Sequence, residues 1–189
     1  MLAVVSVNLD TMPAFQPHIR PLDRSKESQR ALVVSRMRLT LQEVLGQEEG
    51  ASLYTLEWLR DRLDWHLEGS SCAAEVFLAE STEESSILGH TIVRLEEEEG
   101  GTPFGLFSTT YVTPEARRLG VAAALIEKGE DWLRRGGMTR FATDTASDNK
   151  NLIRLFERRG YTIALSMGGI VRLLREESLA NSDLPPELG

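Results

Sequence analysis

Phe107-Ser108-Thr109-Thr110-Tyr111-Val112-Thr113-Pro114-Glu115-Ala116-Arg117-Arg118-Leu119-Gly120-Val121-Ala122-Ala123-Ala124-Leu125-Ile126 is the stretch from which the rest of the chain can be read. The run up to Val112 predicts a strand, Thr113-Pro114 a turn, and the residues from about Glu115 to Arg135 a helix that opens on Arg, Gly and Ala. A helix start leaves backbone N–H groups without partners and carries the positive end of the macrodipole. Small residues there let an anion come close.

The spacing Arg117-x-x-Gly120-x-Ala122 has a reason at each position. Gly120 lacks the β-carbon that would block a ligand oxygen, Ala122 keeps the next turn low, and Arg117 or Arg118 can add charge-assisted bonds to a phosphate. Taken alone, six residues with three loose positions fit an ordinary helix start with two solvated arginines equally well. The strand before and the helix after turn the reading toward a pyrophosphate seat.

With these flanks the segment resembles the GNAT superfamily of acyl-CoA-dependent N-acyltransferases, whose motif [Arg/Gln]-x-x-Gly-x-[Gly/Ala] lies between the fourth strand and the following helix. A second block, Asn149-x-x-Leu152-x-x-Leu155-Phe156-x-x-x-Gly160-Tyr161, is similar to the family segment Asn-x-x-Ala-x-x-Leu-Tyr-x-x-x-Gly-Phe. The resemblance is strong over residues 88–161, weaker upstream and absent in both tails.

The resemblance implies a mixed α/β fold in which a mostly antiparallel sheet, flanked by helices, splays between strands 4 and 5, with pantetheine in the gap. It implies acetyl-CoA as co-substrate, with no metal. Tyr111 and Val112 would offer backbone groups to pantetheine and to the thioester carbonyl, and Leu119, Gly120, Val121, Ala122 and Ala123, with Arg117 and Arg118, would hold the pyrophosphate. Asn149 and Phe156 would line the far side. Direct acyl transfer needs a neutral amine, a polarised carbonyl, a held oxyanion and an outlet for the thiolate. The oxyanion donor expected here is the N–H of Val112 or Tyr111.

Phe156 stands where many relatives carry Tyr, and a phenyl ring cannot donate a proton. Tyr111, Tyr161 or water takes that role, or the thiolate departs without a dedicated acid. For the amine proton the candidates are Asp144, His90 and Glu75, all on predicted strands. Asp144 leads, because Thr143-Asp144-x-x-x-Asp148-Asn149 is similar to a stretch of aminoglycoside N-acetyltransferases that use an acid there. Asp148 is expected to cap the following helix.

The 189 residues suit one domain over 17–176, with a leader or extra strand over 1–16 and a loose tail over 177–189. One cysteine, Cys72, excludes an internal disulfide, and no signal peptide or membrane span is visible, so a cytoplasmic protein is expected. Net charge is -8, yet residues 115–160 hold ten Lys/Arg against seven Asp/Glu. That polarity suits a phosphate-rich cofactor on one side and a cationic amine on the other, and disfavours nucleic acid.

Elsewhere the pattern predicts a short strand at 18–22, helices at about 25–45 and 53–67 separated by a break at 46–51, strands at 75–80, 87–95 and 105–112 forming an antiparallel meander, a strand at 141–146, a helix at 149–159, and a closing hairpin at 161–165 and 169–174. Asp23 or Ser25 is the expected cap of the first helix. The function expected is transfer of an acetyl group from acetyl-CoA to a primary amine of a small, cationic acceptor through a tetrahedral intermediate. Acetylation of protein N-termini or lysines, and a non-catalytic acyl-CoA-binding module, are the alternatives. Dimers are common among proteins of this architecture, so a homodimer is allowed.

Overall fold

The computed structural model describes residues 15–46, 48, 54–69, 72–83 and 85–178. The leader expected over 1–16 and the tail over 177–189 fall, but for two residues each, outside the described residues, as does most of the break at 46–51.

The strands are β1 (His18–Pro21), β2 (Ala74–Glu80), β3 (Ile87–Glu97), β4 (Pro103–Val112), β5 (Arg140–Ala146), β6 (Thr162–Met167) and β7 (Ile170–Glu176), and the helices α1 (Glu27–Leu45), α2 (Leu56–Glu68), α3 (Val121–Arg135) and α4 (Lys150–Glu157). They form one seven-stranded sheet in the order β1-β2-β3-β4-β5-β7-β6. Every neighbouring pair is antiparallel except β4 and β5.

Strand alternation divides the core. On β2, Val76 and Leu78 point to the α1/α2 side with Val33, Leu59 and Leu63, whereas Phe77 and Ala79 point to the other side with Leu125, Ile126 and Leu133 of α3. Those three α3 residues are fully buried, each stabilising the fold by roughly 1.5–3 kcal/mol. Glycines bring α3 close to the sheet. A β-carbon on Gly129 would lie 2.5 Å from Phe107 Cε1, and one on Gly105 2.6 Å from Leu133 Cδ2.

Several boundaries differ from the sequence reading. The helix expected from Glu115 begins at Val121, after a 3-10 turn over Pro114–Ala116. Arg118 and Gly120, at φ 70° and 83°, keep the intervening chain out of the helix. The first helix starts at Glu27 with Lys26 as its N-cap and no side-chain cap, because Asp23 Oδ1 instead accepts from Ser25 N and Oγ in a local turn. The cap of α4 is Asn149, not Asp148: Asn149 Oδ1 accepts from Leu152 N at 3.3 Å. In α2, the Thr55 side chain accepts from Trp58 N.

Candidate active site

The sheet opens where β4 meets β5. Their parallel pairing lasts for Gly105↔Phe141, Leu106↔Ala142 and Phe107↔Thr143 and then stops, although β4 continues to Val112 and β5 to Ala146. The cause is visible in β3. Ile92 pairs with Thr109 and Val93 with Phe107, so Ser108 is an extra residue on β4. Such a bulge bends its strand and sharpens the twist, and this one sits one residue beyond the last β4–β5 pair. At the apex, Thr143 Oγ1 donates to Phe107 O at 3.2 Å. Past it, among the described residues, the β5-facing edge of β4 has no strand partner.

A cleft of about 540 Å³ occupies the opening. One side is formed by Val112, Arg117, Ala122, Asn149, Leu152 and Leu155, and the other by Met37, Leu41, Tyr54, Trp58, Arg62 and His66. Tyr111 and Asp144 line it between them.

The turn leading into α3 has the properties of an anion seat. Arg117 N donates to Pro114 O and Ala124 N to Gly120 O. Among the described residues, the N–H groups of residues 118–123 between them find no acceptor in the fold. A β-carbon on Gly120 would meet nothing within 4 Å, so the space above the turn is open. Successive free amides at a helix start, two of them set by left-handed residues, form a concavity for phosphate oxygens. Arg118 is exposed beside it. Arg117 is engaged elsewhere: its Nε donates to Val112 O at 3.2 Å and its Nη2 to Glu43 Oε1 at 2.9 Å.

Tyr111 lies with its ring under the Arg36 guanidinium, 5.4 Å from the centroid, and stacked on His90 at 6.0 Å. His90 itself is wholly buried, with neither ring nitrogen hydrogen-bonded, and burial followed by Arg36 pushes its pKa down to about 3. It is therefore a neutral packing residue, screened from the cleft. Glu75 is likewise removed, on the α3 face of β2 with Phe77, its Oε1 accepting from Val76 N.

Asp144 alone of the three base candidates faces the cleft, and it does so in a bidentate pair with Arg172, which sequence reasoning missed. Tyr161 is 1% exposed and donates to Glu130 Oε1 at 3.1 Å, and burial followed by that carboxylate raises its pKa strongly, which excludes it as the acid for the thiolate. Phe156, expected to line the far side of the gap, does not reach the cleft wall. It is fully buried between Phe107 and Tyr161, at centroid distances of 5.5 and 4.9 Å, and α4 presents Leu152 and Leu155 to the cleft instead. Asn149 does line it, its Nδ2 donating to Thr145 Oγ1 at 3.1 Å.

Arg62, His66, Tyr54 and Trp58 were also missed, because polar and aromatic residues scattered over α2 and just ahead of it give no motif. Among the described residues no group of three His, Cys, Asp or Glu could hold a metal ion, and no helix is long and apolar enough to cross a membrane.

Comparison with known proteins bears on the family and the fold. Two relatives, aminoglycoside N(6')-acetyltransferases type 1 from Acinetobacter haemolyticus and Klebsiella aerogenes, are 44% identical over 48 residues and 42% over 52, or 25% and 28% of this chain and 33% and 34% of theirs. The chain thus spans about a third of the length of these relatives. Similar folds include the PaiA N-acetyltransferase from Thermoplasma acidophilum in complex with coenzyme A (TM-score 0.67, 12% identity, 86% of this chain and 99% of that one). YncA of Salmonella typhimurium, a putative acetyltransferase solved with acetyl-CoA, gives a TM-score of 0.65 at 16% identity over 90% of this chain and 99% of that one. Residues 40–161, well over half of the sequence, match the model of the acetyltransferase (GNAT) family, and the chain belongs to it.

Proposed function

We propose that the protein transfers the acetyl group of acetyl-CoA to a primary amine of a small acceptor by direct attack. The observation that carries this reading is that, among the described residues, the amides of residues 118–123 find no acceptor at the mouth of a wedge where the β5-facing edge of β4 has no strand partner. The amides and Arg118 would hold the pyrophosphate, and the free edge of β4 from Ser108 to Val112 would hold pantetheine as an added strand does. Acetyl-CoA supplies an activated acyl group, so the protein needs no nucleophile of its own.

The chain's part is then positional and electrostatic. An N–H of Tyr111 or Val112 polarises the thioester carbonyl, the Tyr111 ring being packed against Arg36 and His90. Asp144 receives the amine, and with Phe156 and Tyr161 buried, Tyr111 or water protonates the departing thiolate. The proposal includes a cytoplasmic location and a homodimer. The latter is supported by β6, a sheet edge exposed at every residue and carrying Ile163, Leu165 and Met167.

Incubation with acetyl-CoA and a panel of amines, with free thiol monitored, tests the reading. Acetyl-dependent thiol release with an amine supports it; tight CoA binding with no turnover on any small amine, N-terminal peptide or lysine peptide supports a passive acyl-CoA-binding module instead.

A further inference from the structure

The charges that face the cleft do not cancel. Glu43 is matched by Arg117 at 2.9 Å and Asp144 by Arg172 at 2.8 Å. Arg62 lines the same cleft and, among the described residues, neither donates a hydrogen bond nor joins an ion pair. Its guanidinium lies over the Trp65 ring, 4.1 Å from the centroid.

Arg94 lies near the same ring at 5.7 Å; it pairs with Glu96 at 2.5 Å, yet its Nη1 is buried without an acceptor. His66, 1% exposed, also lines the cleft, and its Nδ1 is buried without a partner. Burial, then Arg62 and Arg94, push its pKa down to about 3, so it is a neutral hydrogen-bonding group at physiological pH. In this corner Glu96 pairs with Arg94 and reaches Arg62 only through space, so two guanidiniums stand beside one carboxylate and an imidazole that carries no charge.

A partly desolvated guanidinium without a directly paired counter-charge is costly, and a carboxylate is the group whose geometry relieves that cost best. Between this corner and Tyr111 the wall is apolar and aromatic. Tyr54 and Trp58 stand with ring centroids 4.9 Å apart, beside Leu41 and Leu59.

We propose that the acceptor is an apolar primary amine bearing a carboxylate, which binds Arg62 at the α2 end of the cleft while the amine meets the thioester beside Tyr111 and Asp144. This rests on the transferase reading above. It departs from the polycationic acceptor that the overall acidity of the chain favours. In the reaction the amine nitrogen bonds the acetyl carbon, the carbon–sulfur bond breaks, and the proton lost by the amine is balanced by protonation of the sulfur. The products are the amide, with its carboxylate still on Arg62, and free CoA thiol.

Three amines of one shape test this: 4-(aminomethyl)benzoate, benzylamine and 1,4-bis(aminomethyl)benzene. Thiol release should favour the carboxylate over the other two by about tenfold or more in kcat/KM, the order expected of one charge-assisted pair. Arg62→Gln should shrink that preference to within about twofold with CoA affinity unchanged. A preference for the diamine, or one that survives Arg62→Gln, overturns the proposal.

Binding of the unreactive 4-methylbenzoate to CoA-loaded protein, followed by tryptophan fluorescence, gives a readout independent of turnover. Saturable binding that Arg62→Gln weakens supports the Arg62 site, and binding that is absent or indifferent to that substitution refutes it. Absence of thiol release from every amine tried would count against the transferase reading alone.

Discussion

Arg172 on β7 grips both carboxylate oxygens of Asp144 on β5, Nε to Oδ1 and Nη2 to Oδ2, each at 2.8 Å, across the register pair Asp144↔Arg172. Both side chains are about a third exposed, so the pair itself adds at most about 1 kcal/mol to stability. Its effect is on the cleft. A carboxylate already facing a guanidinium attracts an ammonium less than a bare one and keeps the amine's place without trapping the charged form.

Arg172→Gln should lower KM for a diamine several-fold while leaving the acetyl-CoA Kd unchanged. Asp144→Asn should lower kcat/KM for amines by at least tenfold, again with little change in acetyl-CoA affinity. Initial-rate kinetics paired with calorimetric titration of CoA separate the two effects. Equal losses in activity and CoA affinity for Asp144→Asn would make Asp144 a structural residue.

Gly129 tests how tightly the wedge apex is packed. Alanine in a helix interior is favoured over glycine by about 1 kcal/mol, but here the added carbon would stand 2.5 Å from Phe107 Cε1 and 2.9 Å from Val93 Cγ1. The Phe107 ring is backed by Phe156, so it cannot swing away freely. Overpacking costs about 1–3 kcal/mol and wins. Urea denaturation should show Gly129→Ala less stable than wild type; a more stable variant would mean that the helix and β4 are less closely apposed.

His66 and His90 make stability depend on pH. Each is lowered from 6.5 to about 3 by burial first and nearby arginine second, so between those values the unfolded chain binds protons that the folded chain does not. Their contribution is complete above about pH 6.5 and is lost as pH falls toward 3, at up to about 1.4 kcal/mol per pH unit for each group. Melting temperature should therefore drop between pH 7 and 5. His90→Phe, which keeps a ring against Tyr111, should reduce the drop; an unchanged drop in both His90→Phe and His66→Phe would show that these rings titrate in the fold.

The strand–turn–helix at 107–126 was legible because local rules act there: β-branched residues, a proline turn, then small residues at a helix start. The same rules misplaced that start, since the left-handed Arg118 and the stacked turn at Pro114 reflect the loop's own geometry rather than periodicity. The place of Asp144 in the cleft was legible from its motif. Arg172 was not, because its role comes from a pairing 28 residues away. Phe156 fits the motif pattern in sequence, but its ring direction depends on Phe107 and Tyr161 closing around it. The positive corner at Arg62 arises only when α2 is laid on the sheet, so that Trp65 meets Arg94 of β3.

The most direct measurement is amide hydrogen exchange by NMR with and without acetyl-CoA, reading residues 118–123. Among the described residues these N–H groups have no acceptor, so saturating acetyl-CoA should slow their exchange by at least tenfold and shift their resonances, and Ala122→Glu, which sets a carboxylate on the seat without the left-handed strain of a Gly120 substitution, should abolish both effects in a folded protein. Acetyl-CoA that binds while leaving those amides unprotected, or that protects them equally in Ala122→Glu, would contradict the pyrophosphate seat.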